Sequence, residues 1–178
     1  MLAQDRGAPQ AKVGSLPQRF GQNDFAALLD EYGSAVLSLL RRLTGNRHDA
    51  DDLFQETAVR VWQRLGDRPD LRNRRAWIMT IAYHIFVDNR ARRRVPNCDA
   101  DRIQGHEHSP AARAEIAEDA CRVNAAVAGL PVSVREVVVL HYNGGLTLRE
   151  TALAMGINQG TVRSRLNTAL RELRRRLE

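Results

Sequence analysis

Ala152, Gly156 and Val162 stand at relative spacings 0, +4 and +10 within "LTLRETALAMGINQGTVRSRL", and few chain paths accommodate that trio. Two helices that cross closely need a small residue at the crossing, which Ala152 supplies. The sharp turn between them requires a positive φ, which glycine adopts without a Cβ penalty. An apolar residue six positions on, Val162, packs the second helix back onto the first. The spacing therefore predicts a helix-turn-helix, in which residues near the start of the second helix face a major groove. That second helix, from about Gln159 to Arg176, carries six arginines against one acid, Glu172. A surface helix ordinarily interleaves its charges to limit self-repulsion. Arg163, Ser164 and Asn167 fall on one face at i, i+1 and i+4, while Val162, Leu166, Ala169, Leu170 and Leu173 fall on the packing side. A solvated basic face is the plain alternative; the spacing and the glycine together favour a nucleic-acid partner.

The charge of the whole chain agrees. A net charge of +6 over 178 residues and an isoelectric point near 10.3 favour a polyanionic partner. No apolar run approaches the roughly 20 residues that cross a bilayer, and the first residues lack a signal peptide's apolar core. The expectation is a cytoplasmic chain with no membrane insertion, in which Cys98 and Cys121 are free thiols. Cys98, His106, His108 and Cys121 match no standard zinc spacing, so no metal is expected. No phosphate-binding glycine loop, nucleophile elbow or acid/base pair stands out, so neither catalysis nor a cofactor is expected.

Apolar periodicity gives an all-α chain of two small bundles joined by a flexible linker. Residues 1–22 are rich in Gly, Pro and Gln and read as a flexible tail. Phe25, Leu28, Leu29, Tyr32, Val36, Leu39, Leu40 and Leu43 recur at helical spacing as far as Thr44-Gly45-Asn46,. Asn46 is placed to cap a second helix that buries Ala50, Leu53, Phe54, Ala58, Val61 and Leu65. Its other faces show Asp51, Asp52, Gln55 and Glu56. A third helix, from about Ala76 to Arg93, has Ile78, Ile81, Ala82 and Ile85 as its core stripe. These three helices form a domain over residues 23–94. An acidic linker follows over 95–116, and 117–178 hold the domain with the helix-turn-helix. Residues 68–94 carry a net charge of +6 and residues 99–119 a net −4, which marks the boundary. Within the second domain, "PVSVREVVVLHY" has strand propensity, but lacks period-two alternation and a partner strand, and is expected to be helical.

These stretches resemble the extracytoplasmic-function (ECF) group of bacterial RNA polymerase sigma factors. "DADDLFQETAVRVWQRL" resembles the core-polymerase-binding part of that family's second region, and "RAWIMTIAYHIFVDNRARRR" the helix that melts and reads the −10 element. "LPVSVREVVVLHYNGGLTLRETALAMGINQGTVRSRLNTALRELRRRL" resembles its fourth region, which reads the −35 element. The resemblance implies a non-enzymatic initiation factor whose partners are core RNA polymerase, promoter DNA and an anti-sigma factor. It implies core-polymerase contacts from Asp51, Asp52, Gln55 and Glu56. For the −10 element it implies Arg72, Arg74, Arg75, His84, Asn89, Arg90 and Arg93, with Arg68–Arg75 as the loop that holds a flipped base. For the −35 element it implies Arg163, Ser164, Asn167, Arg165, Arg171 and Arg174. His84 stands where many relatives carry asparagine, and Asn167 and Thr168 replace residues that are often basic or aromatic. Trp62, Trp77 and Phe86 are either base-stacking or core.

Two rival readings use the same residues. A stand-alone helix-turn-helix regulator would use residues 24–94 as a ligand or dimerisation domain and bind its site without polymerase. A nuclease would hold a metal on Asp51, Asp52 and Glu56.

Overall fold

The computed structural model describes residues 22–65, 73–93 and 122–178. Residues 1–21 of the expected tail, the acidic linker and the four Cys and His residues considered for metal lie outside them, as does Arg72, whereas Gln22, counted with the tail from its composition, opens the first helix. Among the described residues there is no strand. Helix α1 (Gln22–Thr44), α2 (Arg47–Leu65) and α3 (Arg74–Arg93) pack on one another as the N-terminal bundle. Helix α4 covers 122–128. α5 (Val132–Val138) runs directly into a π turn (Val139–Asn143), followed by α6 (Leu148–Met155) and α7 (Gln159–Leu177). Where strand propensity was highest, at Val137 to Val139, the chain is helical and all three side chains are buried.

The helix ends follow from short polar side chains. Gly45, at φ 69°, closes α1, and Asn46 Oδ1 accepts the His48 N–H at 2.8 Å to start α2,. Asn73 Oδ1 does the same for α3 through the Ala76 N–H at 3.0 Å. α6 begins with a reciprocal capping box. The Glu150 N–H donates to Thr147 Oγ1 at 3.2 Å, and the Thr147 N–H donates to Glu150 Oε2 at 2.8 Å,. Burial alone would raise the Glu150 pKa; the hydrogen bonds from Thr147 and Asn73 together outweigh it and hold the carboxyl below its ordinary value.

The core is aliphatic. Leu28, Val36, Leu39, Leu40 and Leu43 of α1 meet Ala50, Leu53 and Val61 of α2 and Ile78, Met79, Ile81, Ala82 and Ile85 of α3. In α2, Phe54 and Ala58 are only half-buried, and Thr57 is buried instead. Its hydroxyl donates to the Leu53 carbonyl at 2.7 Å, so a polar residue sits in the stripe without an unmet hydrogen bond. The C-terminal bundle adds Val137, Val139, Leu140, Leu146, Ala152, Val162, Leu166 and Ala169 to the same continuous set of buried residues. α1 packs against the π turn and α3 against α6. The charge boundary in the sequence separates two bundles along the chain, and in space these bundles lie against each other.

The crossing trio sits as its chemistry demands. Ala152 and Val162 are buried, and Gly156 adopts φ 64°, ψ 32° at the end of α6. A Cβ on Gly156 would meet nothing within 4 Å, so a larger residue is opposed by backbone conformation alone. Gly156→Ala is therefore expected to destabilise the fold by about 1–2 kcal/mol, and Gly156→Asn by less, because asparagine tolerates the left-handed region. Urea denaturation followed by circular dichroism checks the order; equal losses for Ala and Asn would contradict it.

Candidate nucleic-acid interface

α7 presents its basic face without obstruction. Asn158 caps it, its Oδ1 accepting the Thr161 N–H at 2.7 Å. Val162, Leu166 and Ala169 are buried against the rest of the bundle, mainly α5 and α6. Arg163, Ser164, Asn167, Arg171 and Arg174 are all exposed. Arg165 is half-buried, and its charge is close enough to act on Tyr83 of α3. It therefore belongs to the inner side of α7 rather than the outward one. Leu170, grouped with the packing residues by its spacing, is 48% exposed. The stripe through Val162, Leu166 and Ala169 already fills the side that α5 and α6 cover. Arg176 donates to the Gly129 carbonyl at 2.9 Å, tying the end of α7 to the loop after α4.

The polar row of α3 is placed differently. Arg74 is exposed and Asn89 is half-buried, but the other candidates are engaged by protein. Arg75 donates from Nε to the Gly144 carbonyl at 2.8 Å and from Nη2 to the Asn143 carbonyl at 3.3 Å. His84 Nε2 lies 2.9 Å from the Ala154 carbonyl; a carbonyl only accepts, so this nitrogen carries the proton. Arg90 pairs with Glu136 Oε1 of α5 and lies 5.4 Å above the Phe86 ring. Tyr83 Oη donates to Glu136 Oε2 at 3.1 Å. Burial, and then the Glu136 charge, push the Tyr83 pKa well above its ordinary value, so the phenol keeps its proton. Arg93 forms a bidentate pair with Asp49 of α2 at 2.7 and 2.8 Å. Of the aromatics, Phe86 is buried and Trp77 half-buried. Trp62 is 47% exposed on α2, edge-on to Phe25 at 5.2 Å.

On α2, Asp52 and Gln55 are exposed, whereas Asp51 and Glu56 are half-buried. Asp51 meets Arg41 at 3.4 Å and Arg47 at 3.8 Å, and Glu56 meets Arg60 at 3.8 Å and Arg92 at 3.6 Å. These carboxylates are balanced by arginines rather than gathered around a common point. Among the described residues no group of three His, Cys, Asp or Glu side chains is placed to hold a metal.

Comparison with known proteins decides between the readings. The chain matches the Sigma-70 region 2 family over residues 28–95 and the Sigma-70 region 4 family over residues 126–175. It is 34% identical over 157 residues to the ECF RNA polymerase sigma factor SigL of Mycobacterium tuberculosis, covering 85% of this chain and 88% of that one. It is 28% identical over 169 residues to SigW of Bacillus subtilis, covering 88% and 90%. In fold it is similar to the sigma factor RpoE solved with the anti-sigma factor NepR from Bartonella quintana. That match has a TM-score of 0.69 at 22% identity, over 87% of this chain and 97% of that one. It is also similar to CnrH solved with the cytosolic domain of CnrY, with a TM-score of 0.61 at 25% identity over 88% and 89%. The chain belongs to the ECF RNA polymerase sigma factors.

As a sigma factor it is a transcription initiation factor without catalysis of its own, and its partners are core RNA polymerase and promoter DNA. The match of residues 28–95 to sigma region 2 does not favour a ligand or dimerisation domain there. Among the described residues no helix is long and apolar enough to cross a membrane.

Several residues that shape the sigma factor's surfaces were not evident from motif spacing. Glu136 is 4% exposed, and Asn73 donates from Nδ2 to Glu150 Oε1 at 2.6 Å. The signal for Glu136 was present: one carboxylate in the apolar run "VREVVVL" has to be paired once it is buried. The hydrogen bond from Arg93 holds the Asp49 carboxyl below its usual 3.8, against the opposing effect of burial. A depressed carboxylate stabilises the fold above its unfolded value and loses that contribution as pH falls through its folded value. Both side chains are partly exposed, so the pair is worth under about 1 kcal/mol. The difference in urea midpoint between wild type and Asp49→Asn should therefore shrink between about pH 5 and about pH 3; a constant difference would contradict the pairing.

Proposed function

We propose that the three surfaces divide the work of initiation. The exposed side of α2, with Asp51, Asp52, Gln55 and Glu56, docks on core polymerase. α3 and the arginines before it read and open the −10 element, using Arg72, Arg74, Arg75, His84, Asn89, Arg90 and Arg93. α7 reads the −35 duplex through Arg163, Ser164 and Asn167, with Arg171 and Arg174 toward phosphate, while Arg165, expected with them from the sequence, lies on the inner side of α7. Residues 23–94 and 117–178 are the two functional domains, and 95–116 connect them. The factor works in the cytoplasm, where polymerase and DNA are, and an anti-sigma factor restrains it, as NepR pairs with the similar sigma factor RpoE.

The observation that carries this reading is the open basic face of α7 behind a helix-turn-helix whose crossing residues are buried and whose glycine is left-handed. A guanidinium or amide there has the reach and donors for base edges, whereas Arg174 near the far end suits phosphate. Run-off transcription with core polymerase on genomic fragments tests the function as a whole. Arg163→Ala, Ser164→Ala or Asn167→Ala should weaken −35 recognition, by about 1–3 kcal/mol wherever a bidentate base contact is lost. Arg174→Ala should weaken duplex binding evenly across sequences. Unchanged promoter selectivity in all three of the first set would refute the assignment of α7.

The acidic side of α2 is tested separately. Asp52→Arg and Glu56→Arg should each impair assembly with core polymerase while leaving the helical signal of the isolated factor intact. Titration of labelled factor into core polymerase measures it, and wild-type affinity in both variants would count against the docking surface.

A further inference from the structure

Asp88 is the only acid of α3. It is exposed, and among the described residues nothing donates to its carboxylate. Carboxylates of the neighbouring helices are treated otherwise. Asp49 is met by Arg93 of α3, Glu56 by Arg92 and Glu136 by Arg90. Arg92 stands at i+4 from Asp88, the spacing at which an acid and a following arginine pair on one helix face. Its Nη2 goes to Glu56 at 3.6 Å instead, and its Nε donates to the Asp88 backbone carbonyl at 3.4 Å. The side-chain oxygens are left to solvent.

The position on the helix matters as much. From residue 76 to residue 91 only His84, Asp88 and Ala91 are exposed. His84 and Asp88 lie one turn apart on the same side. Arg90 and Arg93 turn away, toward α5 and α2. The strip that α3 offers to a partner therefore carries an acceptor at its centre in place of a cation. His84 Nε2 already donates to the Ala154 carbonyl, so Asp88 is the group on this strip whose hydrogen-bonding capacity is fully open.

A carboxylate beside DNA is repelled by phosphate and gains only from a donor. The donors of DNA are on its bases. Once a base pair is broken, the Watson–Crick edge becomes accessible. Of the four edges, guanine alone presents two adjacent donors, N1–H and N2–H, which match the two oxygens of a carboxylate as an arginine fork does. Cytosine and adenine set a ring-nitrogen acceptor beside their amine, and thymine flanks its N3–H with two carbonyls. Each of these three turns a lone pair toward the second carboxylate oxygen.

We propose that Asp88 is a specificity-determining residue for the −10 element, accepting N1–H and N2–H from an unpaired guanine. The inference rests on the assignment of α3 to that element. Arginines around it attract the strand without regard to sequence. Asp88 opposes that attraction wherever the base it meets lacks the donor pair, so it selects by penalty as well as by contact.

The test uses the full chain with core polymerase and a promoter recovered by genomic run-off. Its −10 segment is randomised, each template carries a transcribed barcode, and sequencing of the transcripts gives the base preference at each position. Wild type should prefer guanine at one position. Asp88→Asn keeps the size of the side chain but places an amide NH2 where one oxygen was. It should reduce that preference by at least about tenfold and leave the other positions as they were. On a template whose −10 segment is held unpaired, inosine in place of that guanine removes the N2 amine. Wild-type transcription should fall, and that of Asp88→Asn should not change.

A guanine preference that survives Asp88→Asn overturns the proposal. So does a uniform change across all templates, the mark of an acid that only repels phosphate. Loss of a preference for cytosine or adenine also overturns it, because a single amine would account for that. A wild type with no preference anywhere in the segment refutes the assignment of α3 and the proposal with it. Preference in wild type that Asp88→Asn leaves intact refutes the proposal alone, so the two failures are distinguishable.

Discussion

A carboxylate removed from water has to find its hydrogen bonds in the protein, and in this chain that requirement joins the two halves. Glu136 lies on α5 in a run of valines that drives the helix inward. Its partners, Tyr83 and Arg90, are one face of α3, 53 and 46 residues away in sequence. Arg90 is itself placed by the Phe86 ring beneath it. Once this group is satisfied, α3 lies along the C-terminal bundle, and the contacts of Asn73, Arg75 and His84 follow along its length.

The factor therefore has two kinds of basic surface. On α7 the arginines are repelled by one another and relieved mainly by solvent, with Glu172 offering one local partner to Arg175 at 2.8 Å. Such a surface gains when a polyanion replaces water and counterions. On α3 the same residue type is already neutralised, by Glu136 for Arg90 and by Asp49 for Arg93. An anion that binds there has to displace one set of oxygens with another.

The apolar interior supports this arrangement without dictating it. Aromatic residues are few, and the buried set is mostly leucine, isoleucine, valine and alanine. Such side chains pack closely but carry little directional preference, so they stabilise many related dockings of two bundles. Direction comes from the polar contacts at their edge. Thr57 shows the same division within one bundle: its methyl fills the core while its hydroxyl turns back to the Leu53 carbonyl. Its burial was not apparent from hydropathy, which counts the residue as polar.

What the sequence determined by itself is local. Helix existence, the cap at Asn46 and the left-handed turn at Gly156 depend on residues within a few positions of one another, so spacing and residue type suffice. The same holds for the exposed face of α7, because a helix with one buried stripe leaves its opposite side to solvent. Only the tertiary structure decided which charges are free to act. Arg75, His84 and Arg90 look like Arg163 and Arg174 in sequence, yet their partners lie 46 to 70 residues further along the chain. A pattern read over a few turns of helix holds no information about such partners, since they are set by how two separately formed bundles satisfy one buried carboxylate.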